Sequence, residues 1–241
     1  MIKCTPAILL LLLFSPLPLS AQPPAGEDKV LHSDETRNFR VIQVEGWEVY
    51  VNKRLLREKK HLGRKVLELL QVQLAQVAHA VPASRLEKLR EVPIWVDDMG
   101  RGPIHYHPGR PWLVNNGYNP DKHQAVDISQ ATNLLRCYRA QPWVMLHELA
   151  HAYHDRVIGF DDTRVLAAFE EAVKEKKYEA VLRISGSNGR HYALSNHKEY
   201  FAECSEAFFG TNDFYPFVRA ELRQHDPGMY RLLEEIWGTT E

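Results

Sequence analysis

The spacing of apolar residues changes twice along the chain. Trp47, Val49 and Val51 alternate with Glu48 and Tyr50, the two-residue period of a strand with one buried face. From Arg54 to Ala80 the period lengthens: Leu62, Val66, Leu69, Leu70, Leu74 and Val77 recur at helical spacing and predict one amphipathic helix packed on the core. Arg85 to Arg90 fits a short second helix or turn, and Val92 to Val96 and Ala125 to Ser129 are short apolar runs of strand type. Met99 to His123 carries no period. Gly100, Gly102, Pro103, Pro108, Gly109, Pro111, Gly117 and Pro120 interrupt it, with Tyr106, Trp112 and Tyr118 between them, so it reads as a long irregular loop. Loops of that length are uncommon in compact domains and are more often functional than decorative. Its aromatics either line a cleft or tack the loop onto the body.

Helical periods dominate the second half. Gln141 to Val157 is a predicted helix with Pro142 in its first turn, and Arg164 to Lys177 is another. Ser185 to Gly189 is a turn, Asn196 to Phe209 a helix stopping at Gly210, and Asp213 and Asp226-Pro227 are expected to open two final helices, the last ending at Gly238. Strands first and helices later make an α+β layout, with no internal repeat.

With 241 residues, 44% of them hydrophobic and 25% charged, the chain has the composition of one globular domain with a full core. A formal charge of −1, without a long basic run, gives no electrostatic case for nucleic acid or an anionic membrane as partner. Lys3, the apolar stretch Ala7 to Leu19 broken by Pro16 and Pro18, and the small residues Ser20 and Ala21 read as a secretory signal peptide over residues 1–21. That stretch is too short to span a bilayer comfortably, so the expectation is a secreted or periplasmic protein with no membrane attachment after cleavage. Residues 22–40, rich in Pro, Gly and Gln up to Asp28, are expected to be flexible, and residues 41–241 to form one domain. Cys137 and Cys204 then remain, either as one disulfide or as two free thiols; no CxxC pair supports a cysteine zinc site.

The chemistry is concentrated in His147-Glu148-Leu149-Ala150-His151. On a helix the two histidines lie one turn apart on one face, so their imidazoles can converge on one ion, with Glu148 beside them to meet a water: the HExxH arrangement of zinc peptidases. Catalytic zinc keeps three protein ligands and one open position. The extended HExxHxxGxxH pattern fails, because His154 and Val157 occupy its Gly and His positions. A glutamate from a later helix is the remaining route, and Glu199-Tyr200-Phe201-Ala202-Glu203 offers two carboxylates one turn apart on an otherwise apolar helix. One of them can bind metal while the other hydrogen-bonds the free nitrogen of a ligand histidine. His154, two turns after His147, is either a supporting group, a substitute ligand or a surface residue. His105 and His107 alternate in the irregular loop; as a pair they offer metal ligands, but on no visible scaffold.

On these residues the chain resembles the anthrax lethal factor-like zinc peptidases of gluzincin type, which include secreted Pro-Pro endopeptidases. The resemblance rests on the HELAH helix, the Glu199–Glu203 helix and Tyr192, seven residues before Glu199. It implies a zincin-like fold, a small mixed sheet packed on the HExxH helix, with a mainly helical C-terminal half. It implies one Zn2+ per chain bound by His147, His151 and Glu199, Glu148 as general base, Tyr192 as oxyanion donor and Glu203 as outer support. The expected activity is endopeptidase hydrolysis of a protein or peptide substrate, held by backbone pairing to an edge strand, for which Val126 to Ile128 is the candidate. Two alternatives remain: a zinc hydrolase acting on a cell-wall peptide or other amide, and a silent zinc-binding module.

Overall fold

The structure, a computed structural model, describes residues 33–100 and 102–238. The expected signal peptide and the Pro/Gly-rich segment to Asp28 lie outside the described residues. The first elements are a 3-10 turn at Thr36–Asn38 and strand β1 at Phe39–Val44, which pairs antiparallel with β2, Trp47–Asn52, in register from Phe39↔Asn52 to Val44↔Trp47. Glu45 and Gly46 both take positive φ (51° and 92°), the conformation a two-residue hairpin requires. A Cβ at Gly46 would also stand 2.6 Å from Arg90 Nε, so glycine is doubly required there.

The long helix expected from Arg54 to Ala80 is broken in two: α1, Lys53–Arg57, and α2, Lys60–Ala80. Asn52 caps α1 by accepting from the Arg54 N–H, and α2 folds back over it. A Cβ at Gly63 would sit 2.3 Å from the Leu55 carbonyl oxygen, so that glycine lets the two helices close. The buried face of α2 includes Val66, Leu70, Leu74 and Val77. After α3, Ala83–Arg90, the chain enters β3, Ile94–Val96, parallel to β2.

The segment expected to be a structureless loop holds three short elements: β4 at His105–Tyr106, α4 at Arg110–Asn115 and a 3-10 turn at Pro120–Lys122. Then β5, Val126–Ile128, pairs parallel with β3 and antiparallel with β4, giving a mixed sheet of order β1-β2-β3-β5-β4. This corrects the expectation for Val126 to Ile128, which is an interior strand; the edge belongs to β4. The two residues of β4 have no strand signature of their own and are ordered by pairing to β5.

Helix α5, Ala131–Ala140, was not visible in the apolar pattern. It leads into α6, Val144–Tyr153, which carries the motif and continues as a π-helical turn over His154–Ile158. Nine of the ten residues of α6 are buried, because β4 and β5 cover one side, α2 and α3 lie alongside, and α8 covers the other. Then follow α7, Thr163–Lys174; the hairpin β6, Val181–Leu182, with β7, Asn188–Gly189; a 3-10 turn at Tyr192–Ser195; α8, His197–Phe209; α9, Arg219–His225; and α10, Pro227–Trp237. Asp213 does not open a helix. Asn212 turns the chain there by bonding Glu203 O and Phe214 N–H, Pro216 has no N–H to offer, and the helical run starts only at Arg219, where Glu221 takes the Phe217 and Val218 N–H groups.

One continuous apolar core joins the sheet to α2, α6, α8 and α10, with Trp47, Leu70, Leu149, Phe201 and Trp237 wholly buried. The α+β class read from the sequence is the class observed. Among the described residues, Cys137 and Cys204 are free thiols, Cys204 buried and Cys137 half-buried. Among the described residues, no helix is long and apolar enough to cross a membrane.

Candidate metal centre

His147 and His151 point from successive turns of α6 into one cleft, with their Nε2 atoms 3.1 Å apart. Glu199 enters from the first turn of α8. Asn196 starts that helix, its side-chain oxygen accepting from the N–H groups of Lys198 (2.9 Å) and Glu199 (3.1 Å). Glu199 Oε2 then lies 3.1 Å from His147 Nε2 and 3.2 Å from His151 Nε2. Donors about 2.0–2.1 Å from a tetrahedral zinc stand about 3.3 Å from one another. The three atoms therefore have the mutual spacing of zinc ligands, at the wall of the cleft.

The charges tell the same story. Burial works against a charge on His147, but its bonds to Glu199 and Glu206 outweigh that and raise its pKa well above the ordinary value. Burial lowers the pKa of His151. Burial also opposes the Glu199 charge, yet the two imidazoles hold its carboxyl well below the usual range. Two imidazole lone pairs and a carboxylate packed this closely need a proton or a cation between them.

The outer support of His147 differs from the sequence reading. Its Nδ1 lies 2.8 Å from Glu206 Oε1, which also accepts from Gln141 Nε2 at 2.8 Å. Glu203, expected in that role, is 3.7 Å away and leans toward His191 Nδ1 at 3.8 Å. Glu206 is seven residues past Glu199, two turns along the same face of α8, so the i, i+7 period was the signal that could have found it. Burial, and next the Glu206 carboxylate, push the Glu203 pKa well up, so Glu203 behaves as a neutral acid.

Glu148 faces the sheet edge. The Tyr106 N–H of β4 donates to Glu148 Oε2 at 2.8 Å, and the Tyr106 hydroxyl donates to Asp155 Oδ2 at 2.7 Å. Strand β4 is thus tied to the motif helix by backbone and side chain together, a role for Tyr106 that no local sequence signal announces. Burial raises the Glu148 pKa to about 8, against the opposing pull of His147 and the Tyr106 N–H. A cation held by the adjacent donors would draw that value down. The cleft has a volume of about 460 Å3, and Tyr106, Glu148, Tyr192, Lys198, Asp213 and Phe214 are among its walls. Tyr192 is 51% exposed on the 3-10 turn before α8, and the nearby Glu199 charge, then burial, raises its phenol pKa.

Residues 125–236, from β5 to α10, match the model of the family described as anthrax toxin lethal factor, N- and C-terminal domain. The matched segment, a little under half of the chain, is similar to that family. That family is one of metallopeptidases, zinc-dependent in general. No curated protein and no solved structure gives a significant match.

The matched segment contains the three converging donors, His147, His151 and Glu199, together with Glu148, Tyr192 and Glu206. It also contains His154, which joins none of them. His154 is wholly buried beside Phe160 and Phe201, with ring centroids 5.1 and 4.8 Å away, and neither ring nitrogen has a hydrogen-bond partner. Burial holds its pKa at about 3, so it packs as a neutral ring. His105, on β4, and His107, just after it, lie upstream of the segment with ring centroids 4.2 Å apart.

Proposed function

We propose that this protein is an exported zinc endopeptidase whose ligands are His147, His151 and Glu199 and whose general base is Glu148. One observation carries the reading: three donors mutually 3.1–3.2 Å apart share a cleft with a buried carboxylate that an edge-strand N–H holds in place. A structural ion needs neither the base nor the open cleft.

When bound by this donor set, zinc supplies Lewis acidity, which makes water a nucleophile near neutral pH and stabilises charge on a carbonyl oxygen. With Glu148 Oε2 occupied by the Tyr106 N–H, Oε1 is left to accept the proton of the attacking water. As the carbon–nitrogen bond breaks, Glu148 returns that proton to the leaving amine nitrogen. Tyr192, exposed at the cleft wall, donates its hydroxyl hydrogen bond to the developing oxyanion. Glu206 accepts from His147 Nδ1 and so keeps the Nε2 lone pair of that ring turned to the metal. A peptide substrate would lie in the cleft walled by Tyr106, Tyr192 and Phe214, beside the strand that holds the base. Export is part of the proposal and rests on Lys3 and the apolar run from Ala7 to Leu19.

The test is elemental mass spectrometry beside a peptide-library digest, on the mature protein, Glu148→Gln and Glu199→Ala. Glu148→Gln is expected to keep the catalytic zinc and lose about 10²–10⁴-fold in kcat/KM, since the amide still accepts from Tyr106 but cannot take a proton. Glu199→Ala is expected to lose that zinc together with activity. Digestion of no peptide by the zinc-loaded protein would sink the endopeptidase reading and favour another amide or a silent module.

A further inference from the structure

We propose that His105, His107 and Asp127 form a second site for a divalent transition ion of the zinc class, which fastens the edge strand β4 to β5. His105 opens β4 and His107 directly follows its last residue, still paired with the chain leading into β5 through its N–H to Ala125 O at 3.0 Å, and the two rings stand 4.2 Å apart. Asp127 is the residue directly opposite His105 in the antiparallel register of β5. One ligand atom from each of the three lies within 4.8 Å of the others. His107 Nε2 and Asp127 Oδ2 are 3.2 Å apart, the same spacing as the donors of the first centre.

The ring of His105 is set up as a ligand. One of its nitrogens is engaged by the Pro103 carbonyl, which can only accept, while Nε2 is buried and has no hydrogen-bond partner. A histidine whose Nδ1–H is anchored on a backbone carbonyl presents an Nε2 lone pair, the tautomer that metal-binding histidines adopt. Burial first, then His107, lowers the His105 pKa to about 4, so the ring is neutral under ordinary conditions. A buried lone pair with nothing to accept is costly, and a cation is what it lacks.

Asp127 is held as the anionic ligand. Burial alone would protonate it, but Lys122 and His107 outweigh burial and keep its carboxyl below the ordinary range. Lys122 Nζ takes Oδ1 at 2.8 Å and the Ser129 hydroxyl donates to Oδ2 at 2.6 Å, which orients the carboxylate. Lys122 does not exhaust the negative charge, because its ammonium also sits 3.6 Å from Asp97 Oδ2. Asp97 also accepts from Asn52 Nδ2 and from the N–H groups of Asp34 and Asp98, and burial raises its pKa against Lys122 and those N–H groups. The Lys122 ammonium is thus divided between two buried Asp side chains, and the Asp127 carboxylate faces two imidazoles. An ion would take the place of the hydrogen bond between His107 Nε2 and Asp127 Oδ2, with the neutral ring carrying its proton on Nδ1. Two imidazole nitrogens and one carboxylate oxygen suit zinc better than calcium or magnesium. Trp112 and Tyr118 wall the cavity of about 560 Å3 into which the remaining coordination position opens.

The consequence is mechanical. Tyr106 lies between the two histidines and its N–H holds Glu148, so an ion that ties β4 to β5 also steadies the base. Zinc content after equilibrium dialysis at micromolar free zinc tests the proposal on the mature protein, Glu199→Ala, His105→Ala and the double variant. The expected contents are two, one, one and no equivalents. A wild-type content of one that Glu199→Ala abolishes overturns it, as does a His105→Ala content equal to wild type. Should His105→Ala fail to fold, Co2+ titration of Glu199→Ala carries the test: one equivalent of visible d–d absorption is expected, and none overturns it. Failure of the catalytic reading would appear separately, as full zinc retention in Glu199→Ala with no peptide cleavage.

Discussion

Two clusters of two histidines and a carboxylate stand on opposite kinds of scaffold. In the first, His147 and His151 are one turn apart on a buried helix and Glu199 comes from a second helix; in the second, His105 opens a strand, His107 directly follows it, and Asp127 comes from the strand beside it. The first has a carboxylate outside the ligand set, Glu148, aimed into an open cleft, and a phenol at the rim. The second has its carboxylate tied up by an ammonium and a hydroxyl, and aromatic rings at its mouth. Ligands alone therefore do not make a hydrolytic site. A base with a free oxygen and room for a carbonyl make the difference, and those come from what surrounds the triad.

The largest effect that would sharpen the contrast is Tyr192→Phe. If the phenol is the oxyanion donor, kcat falls about 10²–10³-fold while zinc content and KM change little. An unchanged kcat would reduce Tyr192 to a cleft wall and leave the first site less distinct from the second. Next is the outer support. Glu206→Gln removes a charged acceptor from His147 Nδ1 and is expected to weaken zinc binding at the first centre about 10–100-fold, read by chelator competition. Glu203→Gln replaces a neutral acid with a neutral amide and is expected to change affinity far less; the reverse ranking would return the role to Glu203.

The smallest effect at neutral pH concerns the histidine that joins neither triad. His154 has its folded pKa depressed to about 3, so the folded state binds fewer protons than the unfolded state below the ordinary histidine value. The stability it permits is present near neutrality and is lost as pH falls below about 6.5, at up to about 1.4 kcal/mol per pH unit. His154→Phe, which keeps a ring beside Phe160 and Phe201, should reduce the stability lost between pH 7 and pH 5 by about 2 kcal/mol in urea melts. An unaltered acid slope would mean that His154 is hydrated in solution.

Much of the first site is legible because a helix is a local object. The interval between His147 and His151 fixes their common face whatever the rest of the chain does, and the capping residue Asn196 marks where Glu199 begins its helix. Glu206 was missed although it lies on the same face, since nothing in the sequence says how far into α8 the ring of His147 reaches. Helix α1 was merged with α2 because the apolar period runs across the break; the close approach at Gly63 is a tertiary contact. Strands β1 and β4 were invisible for a related reason. In β1 one face is exposed, with Val41 46% accessible, so its apolar residues do not alternate; β4 is two residues ordered by a partner about twenty positions away.

By itself, then, the sequence determined the α+β order of elements, the helix that carries two histidines and a glutamate on adjoining faces, and a pair of carboxylates one turn apart on a later helix, all properties of spacing within one element. The choice of Glu199 from that pair came from the family resemblance. Only the tertiary structure decided that the Tyr106 N–H holds Glu148, that Glu206 rather than Glu203 supports His147, and that Asp127 lies opposite His105 and beside His107. These depend on which strand pairs with which and how deeply helices pack, and such contacts form between residues whose separation along the chain carries no period to read.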